Sequence, residues 1–414
     1  MNNFNSFERA VAKSLSNFPF VKKYLKFIYS FAIYLKHKKD YKYRSKNRIS
    51  IIFDKLETFF GYYDHCPDNQ NFNIFNILHD TKKIPTKADA LQVSIVRKLD
   101  LKLIYQVETF AFNLQQGARA HWLGPNRFIM NVFDKNTQSY GAEIHDVLEK
   151  KKIKKFSHCV QDSYANIFFV SINYNRLMCY RPDYGYRQVN ASMNELYDYT
   201  NDGIFLTDML SGNERLIVSL QDVIDFSQID AKIIKKHWFN HVMISPDGSN
   251  IIFLHRYFDG AKRFDSLYLF SLADNSLKLL NNSGMISHYC WIDNETLFGY
   301  MRGPENREAY YYCNCFTGEF ELVPELSQFG DGHPSFHSGK IVFDTYPGKD
   351  RMQQLFLFDT KTKNLELLGE FFHGFDFFGE TRCDLHPRFS FCGSYVFFDT
   401  VFSGKRQLCK LEIS

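Results

Sequence analysis

The chain has 414 residues, of which 45% are hydrophobic and 17% aromatic, and its net charge is +4. That is apolar material enough for a large core, and it excludes a disordered or collagen-like chain. The charge is uneven: residues 1–50 hold twelve Lys/Arg against Glu8 and Asp40, leaving the remainder at −6. A mildly acidic body with one basic arm excludes a nucleic-acid-binding domain.

Nine cysteines, an odd number without framework spacing, suit a reducing, cytoplasmic compartment. Cys313 and Cys315 share one strand face and lack a second pair at zinc-site spacing, which makes them packing residues.

Residues 1–47 are expected to form a basic helical extension and residues 48–414 the main domain. Residues 6–37 read as two helical pieces divided at Pro19. The second mixes Phe20, Tyr24, Phe27, Ile28, Phe31 and Leu35 with Lys22, Lys23 and Lys26. Its longest uncharged run, 27–35, is far short of the roughly twenty residues that span a bilayer. Such an amphipathic segment suits the headgroup layer of an anionic membrane, so residues 6–39 are expected to hold the protein at the periphery of the inner membrane. The competing arrangement is a helix packed on the domain with its lysines solvated.

Residues 49–53, Ile-Ser-Ile-Ile-Phe preceded by Arg48, form a β-type run that arrives before the first full repeat. They are expected to complete the last repeat, because a ring of strands leaves no open edge when one terminus seals the other.

From there the chain repeats a four-strand pattern. The clearest unit is 241–280, with runs HVMI, NIIFLH, SLYLFSL and SLKLL separated by Ser245-Pro-Asp-Gly248, Asp259-Gly260 and Asp274-Asn275. Further units start at 288, 333 and 386, and looser ones at 60, 119 and 158, the last with residues 180–199 inserted. Residues 221–236 read as a short helix. A repeat of about 40 residues with four strands defines an all-β, seven-bladed β-propeller, six blades being the alternative should the third unit be misaligned.

Each unit places a histidine at or beside the start of its first strand: His65, His121, His158, His241, His288, His333 and His386. First strands line the channel, so these imidazoles are expected at one mouth. The loops between second and third strands return to the same face and carry Arg263, Arg307, Arg351 and Arg406; Arg119 accompanies His121, and Tyr63 and Asp64 accompany His65. Together they form a candidate surface for carboxylates or phosphates. Arg382, Asp384 and His386 alternate on one strand face, which adds a cation and a carboxylate to an imidazole. The bland alternative is a repeat histidine that bonds a neighbouring strand, with solvated loop arginines. Gly-x-Ser-x-Gly, Gly-x-x-x-x-Gly-Lys, Gly-x-Gly-x-x-Gly and His-Glu-x-x-His motifs are absent, as is Asp-x-Asp.

The His-Pro-x-Phe and Ser-Pro-Asp-Gly turns resemble those of TolB-like and prolyl-oligopeptidase-type propellers. The units DGHPSF…IVFDTYPGKDRMQQLFLFD and RCDLHPRFS…YVFFDTVFSGKRQL resemble the C-terminal half of the oligogalacturonate lyase family, over roughly residues 240–412. That resemblance implies β-elimination on short acidic pectin fragments, with a divalent metal such as Mn or Ca held by imidazoles and a glutamine. His333 and His386 match the imidazole ligands, His288 less closely. Asp384 and Thr381 stand where the family has another imidazole and the glutamine. Glu57-Thr-Phe-Phe-Gly-Tyr-Tyr-Asp64 resembles the opening of propellers found with bacterial surface-polysaccharide assembly, often labelled glycosyl transferases.

The resulting expectation is a carbohydrate-active propeller that binds an acidic or lipid-linked saccharide. His333, Asp384 and His386 would hold the metal, and Arg382 would neutralise a uronate carboxylate. Tyr63, His288 or a loop arginine would serve as base. Glycosyl transfer to a lipid-linked acceptor and a non-catalytic scaffold are the alternatives.

Overall fold

Seven antiparallel sheets follow one another along the chain in the computed structural model, which describes residues 19–231 and 233–413. Blades 1 to 7 cover 58–109, 121–156, 162–219, 236–281, 286–322, 335–372 and 388–412. The chain is therefore a seven-bladed β-propeller.

Alternation along each strand sends side chains to both neighbouring blades. In the second strand of blade 4, Asn250–Asp259, Ile251 and Phe253 pack with Val170, Ile204 and Val218 of blade 3. Ile252 and Leu254, facing the other way, pack with Tyr289 and Leu297 of blade 5. One blade exposes two apolar faces, and only its neighbours cover them. Cys313 and Cys315 are fully buried in the second of these clusters, as free thiols.

The ring is sealed by the N-terminal side. Ile49–Ile51 pairs antiparallel with Gln407–Glu412, Ile49 opposite Leu411 and Ile51 opposite Cys409, and forms the outermost strand of blade 7. A second strand, Tyr43–Ser45, adds to Leu365–Phe372 as a fifth strand of blade 6. These three residues fall inside the stretch read from sequence as helical. The Ser45 hydroxyl donates to the Leu368 carbonyl and the Tyr41 hydroxyl to Glu370, which draws the segment onto that edge.

Helix α1, Pro19–His37, precedes them; the first expected helical piece, 6–18, lies outside the described residues. Phe27, Phe31 and Tyr34 set their rings against Phe375, and Tyr34 also meets Phe372, in the connection from blade 6 to blade 7. No described helix is long and apolar enough to cross a membrane. Blade 3 carries helices α2, Tyr174–Tyr180, and α3, Met193–Tyr197, inside the inserted segment. The helix expected over 221–236 is shorter. Helix α4, Leu220–Phe226, starts on a Ser219–Asp222 capping box, and Lys236 already opens the first strand of blade 4.

Candidate metal centre at the channel mouth

First strands run along the axis; His333, His386 and Arg119 stand just ahead of theirs, whereas His241 lies within Lys236–Ile244. Aligned through their ladders, blades 4 to 7 present His241, His288, His333 and His386, and blade 2 presents Arg119. Arg119, His241 and His386 share an uncommon backbone conformation, with φ of 54°, 50° and 43°. The residues preceding Arg119 and His386 accept equivalent bonds from Asn131 and Asp399. In the same layer Asp64 of blade 1 forms a bidentate pair with Arg119, at 2.9 and 2.8 Å, and Arg119 also donates to the Gln161 carbonyl of blade 3.

The expected ring of seven imidazoles is therefore a ring of four. His65 follows Asp64 by one residue, His121 follows Arg119 by two, and His158 lies three before Gln161. A one-residue shift on a strand turns a side chain to the other face. His65 stacks on His121 at 3.9 Å deeper in the channel, and His158 leaves the axis to pair with Glu214 at 3.0 Å.

The four remaining imidazoles are contiguous. Ring centroids are 5.4 Å apart for His241 and His288, 4.1 Å for His288 and His333, and 4.3 Å for His333 and His386. Tyr62 and Tyr63 fill the axis beside them. The Tyr62 hydroxyl bonds His241 Nδ1 at 2.6 Å. The Tyr63 hydroxyl donates to the Tyr289 carbonyl and accepts from the Tyr289 N–H, and burial holds its phenol pKa well above the usual value. That arrangement makes Tyr63 a plug and a poor base.

Among the described residues, one group offers three converging ligand atoms: His333, Asp384 and His386, all within 4.8 Å of one another and all buried. Asp344 accepts from His333 Nδ1 at 2.9 Å, which assigns the ring proton to Nδ1 and turns the Nε2 lone pair inward. Asp344 also accepts the backbone N–H groups of His333 at 2.7 Å and His386 at 3.1 Å. The Nε2 atoms of His333 and His386 are buried and have no hydrogen-bond partner. Two orphaned imidazole nitrogens beside a carboxylate fit a divalent cation that accepts nitrogen and oxygen together.

The electrostatics of the cluster divide by partner. Burial lowers the pKa of His386 well below the usual value, and neighbouring His333 lowers it further. Burial works most strongly against a charged His333 too, but the carboxylates of Asp344, Asp384 and Asp331 together outweigh it and the pKa is raised. Asp384 is held far below the carboxylate range despite its burial, because Arg382 grips both its oxygens. Burial lowers the pKa of His288, whose Nδ1 lies 3.1 Å from Asp331. Of these groups Arg382 reaches solvent, its side chain 36% exposed and stacked on Tyr346.

The insertion in blade 3 roofs this mouth. Tyr184 sets its ring edge against Tyr62 and His241, Asn113 holds its carbonyl, and Arg187 pairs with Glu380. Arg181 is bound to Asp183 beside them.

The loop arginines are distributed differently from the expected cationic face. Arg406 is buried and donates to the carbonyls of Leu114, Thr381 and Arg382, so it fixes the loop that carries Arg382. Arg351 holds the His373 carbonyl and Nδ1, and Arg263 pairs with Asp265. The Arg307 carbonyl accepts from the Tyr311 hydroxyl at the rim of blade 5. The expected ligand set of Asp64, His65, Arg119 and His121 lies away from the metal trio.

Fold and mouth together define a closed propeller with a candidate metal centre in its C-terminal half. No family model matches the chain, and no curated protein matches it. Among solved structures it is similar to an oligogalacturonate lyase from Vibrio parahaemolyticus, at 14% identity and TM-score 0.54, over 90% of this chain and 97% of that one. It is similar also to an oligogalacturonate lyase in complex with manganese, at 13% identity and TM-score 0.55, over 89% of this chain and 94% of that one. At these identities the likeness shows the fold.

Proposed function

We propose that this chain is a metal-dependent, carbohydrate-active propeller that takes an acidic saccharide at the imidazole mouth, in the assembly or processing of a surface polysaccharide. The observation that carries this reading is the pair of buried, unpartnered Nε2 atoms of His333 and His386 converging with Asp384. The likeness to a lyase solved with manganese supports it. His333, His386 and Asp384 would hold Mn or Ca, and the bound ion would polarise a uronate carboxylate so that the adjacent C–H becomes acidic. Arg382, the half-exposed cation beside the trio, would bind and orient that carboxylate. His288 is the candidate base: its Nδ1–H donated to Asp331 leaves Nε2 as the acceptor nitrogen, next to His333. Elemental analysis of purified protein tests the reading. Stoichiometric metal that disappears in His386→Ala, with an ultraviolet-absorbing unsaturated product from oligogalacturonate, is the expected result. Metal-free wild-type protein overturns it and leaves a transferase or a scaffold.

The same reading sets the protein against an anionic membrane. Leu25, Phe27, Ile28, Phe31 and Leu35 of helix α1 each keep more than two-fifths of their surface exposed after docking on Phe375. Lys36, Lys38, Lys39, Lys42, Arg44, Lys46 and Arg48 follow within a dozen or so residues. Apolar rings beside clustered cations fit a headgroup layer. The connection that receives the helix through Phe375 leads on to Arg382, Asp384 and His386, which supports turning helix and mouth toward one membrane. A lipid-linked saccharide held in that membrane would meet the mouth directly.

A further inference from the structure

The channel has a second end. Where first strands turn into second strands, a cavity of about 310 Å³ opens among His65, Asp162, Ser163, Tyr164, Trp291 and Phe336, floored by Tyr63 and Asp64. The metal trio lies at the starts of first strands and this cavity at their ends, with the Tyr62–Tyr63 plug between.

Its walls combine flat apolar faces with unspent polar atoms. Trp291, Phe336 and Tyr164 come from three different blades and line the cavity without stacking on one another. Trp291 is 92% buried, yet its Nε1 has no partner. His65 Nε2 also lacks a hydrogen bond; its nearest acceptor, Asp162 Oδ1, is 3.5 Å away. Ser163 is already bonded to His121 Nε2, and Ser335 adds another hydroxyl. Each oxygen of Asp162 accepts one backbone N–H, from Ser163 and from Ile244.

The charges exclude an anion. The cavity is lined by two acids and no Lys or Arg side chain. Arg119, below the floor, is spent on Asp64. They favour a cation little more: burial raises the Asp162 carboxyl to about 7, so it is only partly charged at neutral pH and both its oxygens already accept backbone N–H groups, and burial holds His65 uncharged. A carboxyl, a neutral imidazole, hydroxyls and aromatic platforms recognise a flat molecule with one apolar face and a hydroxyl edge. The volume, at the small end of the roughly 300–1,000 Å³ of ligand pockets, admits one ring.

We propose that this far mouth is a second binding site, for the ring of a neutral pyranose, with Trp291 or Phe336 under the ring face and His65, Asp162 and Ser163 on its hydroxyls. The site goes beyond the metal mouth and needs none of its residues.

Saturation-transfer NMR on the full chain, with methyl β-galactoside and methyl β-glucoside as probes, tests this. Transfer to one of them is expected, weakened at least about tenfold in affinity by His65→Ala and by Ser335→Trp, which fills the cavity from a half-exposed strand. Asp384→Asn, at the other mouth, is expected to leave it unchanged, and His65→Ala to leave metal content unchanged. Failure of both pyranosides to show transfer overturns the proposal. Transfer indifferent to both cavity variants overturns it too, as does preference for galacturonate or tetramethylammonium. Metal content is read separately, so loss of the proposed metal function leaves this outcome interpretable.

Discussion

Asp344 is the residue whose replacement separates the metal mouth from the fold around it. Its carboxylate is buried and accepts three donors: the backbone N–H of His333 at 2.7 Å, His333 Nδ1 at 2.9 Å and the backbone N–H of His386 at 3.1 Å. Asp344→Ala orphans all three. An unmade buried hydrogen bond costs about 1–3 kcal/mol, and the three share one site, so the loss is on the order of 3–5 kcal/mol. Against a usual stability of about 5–15 kcal/mol that is a large fraction. Asp344→Asn keeps the shape and one acceptor oxygen but turns an amide N–H₂ toward at least one donor, at about 1–3 kcal/mol. It also removes the acceptor charge that fixes the His333 tautomer, which weakens metal binding by about 10–100-fold. Urea unfolding and a Mn titration on each variant are the assays. Asn protein that folds with a modest loss and binds Mn tens of times more weakly is expected. Asn protein with wild-type affinity would refute the claim that Asp344 aims His333 at a metal.

Further outcomes follow from individual contacts. Arg382→Gln frees Asp384 from its clamp, so Mn affinity should hold or rise while activity on an acidic oligosaccharide falls at least about tenfold; weakened Mn binding would mean that the ion pair builds the site. Asp162 binds its proton more tightly folded than unfolded, so folding stability should fall as pH rises from about 4 to about 7 and level off above, a slope that Asp162→Asn removes; equal slopes in urea midpoints at pH 5 and 8 would contradict this. Phe31→Glu should cut cosedimentation with phosphatidylglycerol-containing vesicles and leave the unfolding midpoint within about 1 kcal/mol, since Phe31 is 43% exposed. Unchanged sedimentation would remove α1 as the contact.

The repeat, the blade count and the sealing strand were legible because turn chemistry and alternation recur every 40 residues or so. The three side chains at 333, 384 and 386, singled out through the resemblance of their units to the lyase family, do converge. Blades 1 to 3 were legible only to within a few residues. Their first strands are short or interrupted, as in Thr58–Phe59 and His121–Trp122, and little in the pattern fixes which residue faces the axis. The aspartates behind the imidazoles were missed, although the repeated Phe-Asp-Thr that carries Asp344 and Asp399 was in plain view. Arg181, Tyr184 and Asp331 sit in connections without a repeat partner, and only tertiary structure brings them to the mouth.

The two Phe-Asp-Thr aspartates on second strands, Asp344 and Asp399, show how one repeat came to serve two ends. Asp344 spends its oxygens on His333 and His386. Asp399, its counterpart one blade later, accepts the N–H groups of Phe60 and Gly61 and pairs with Arg388. Gly61 adopts φ of 115°, and a Cβ there would meet the Gln116 backbone at 2.6 Å, so the strand can bend into the axis only as glycine. That bend delivers Tyr62 and Tyr63 to the channel. One aspartate therefore aims the imidazoles while its repeat partner anchors the plug that closes the channel beneath them. Across the axis the same layer is closed by Asp64 and Arg119, an internal pair with no valence to offer. The C-terminal half of the ring, where His333 and His386 keep their Nε2 atoms unspent, is the half that retains ligand capacity.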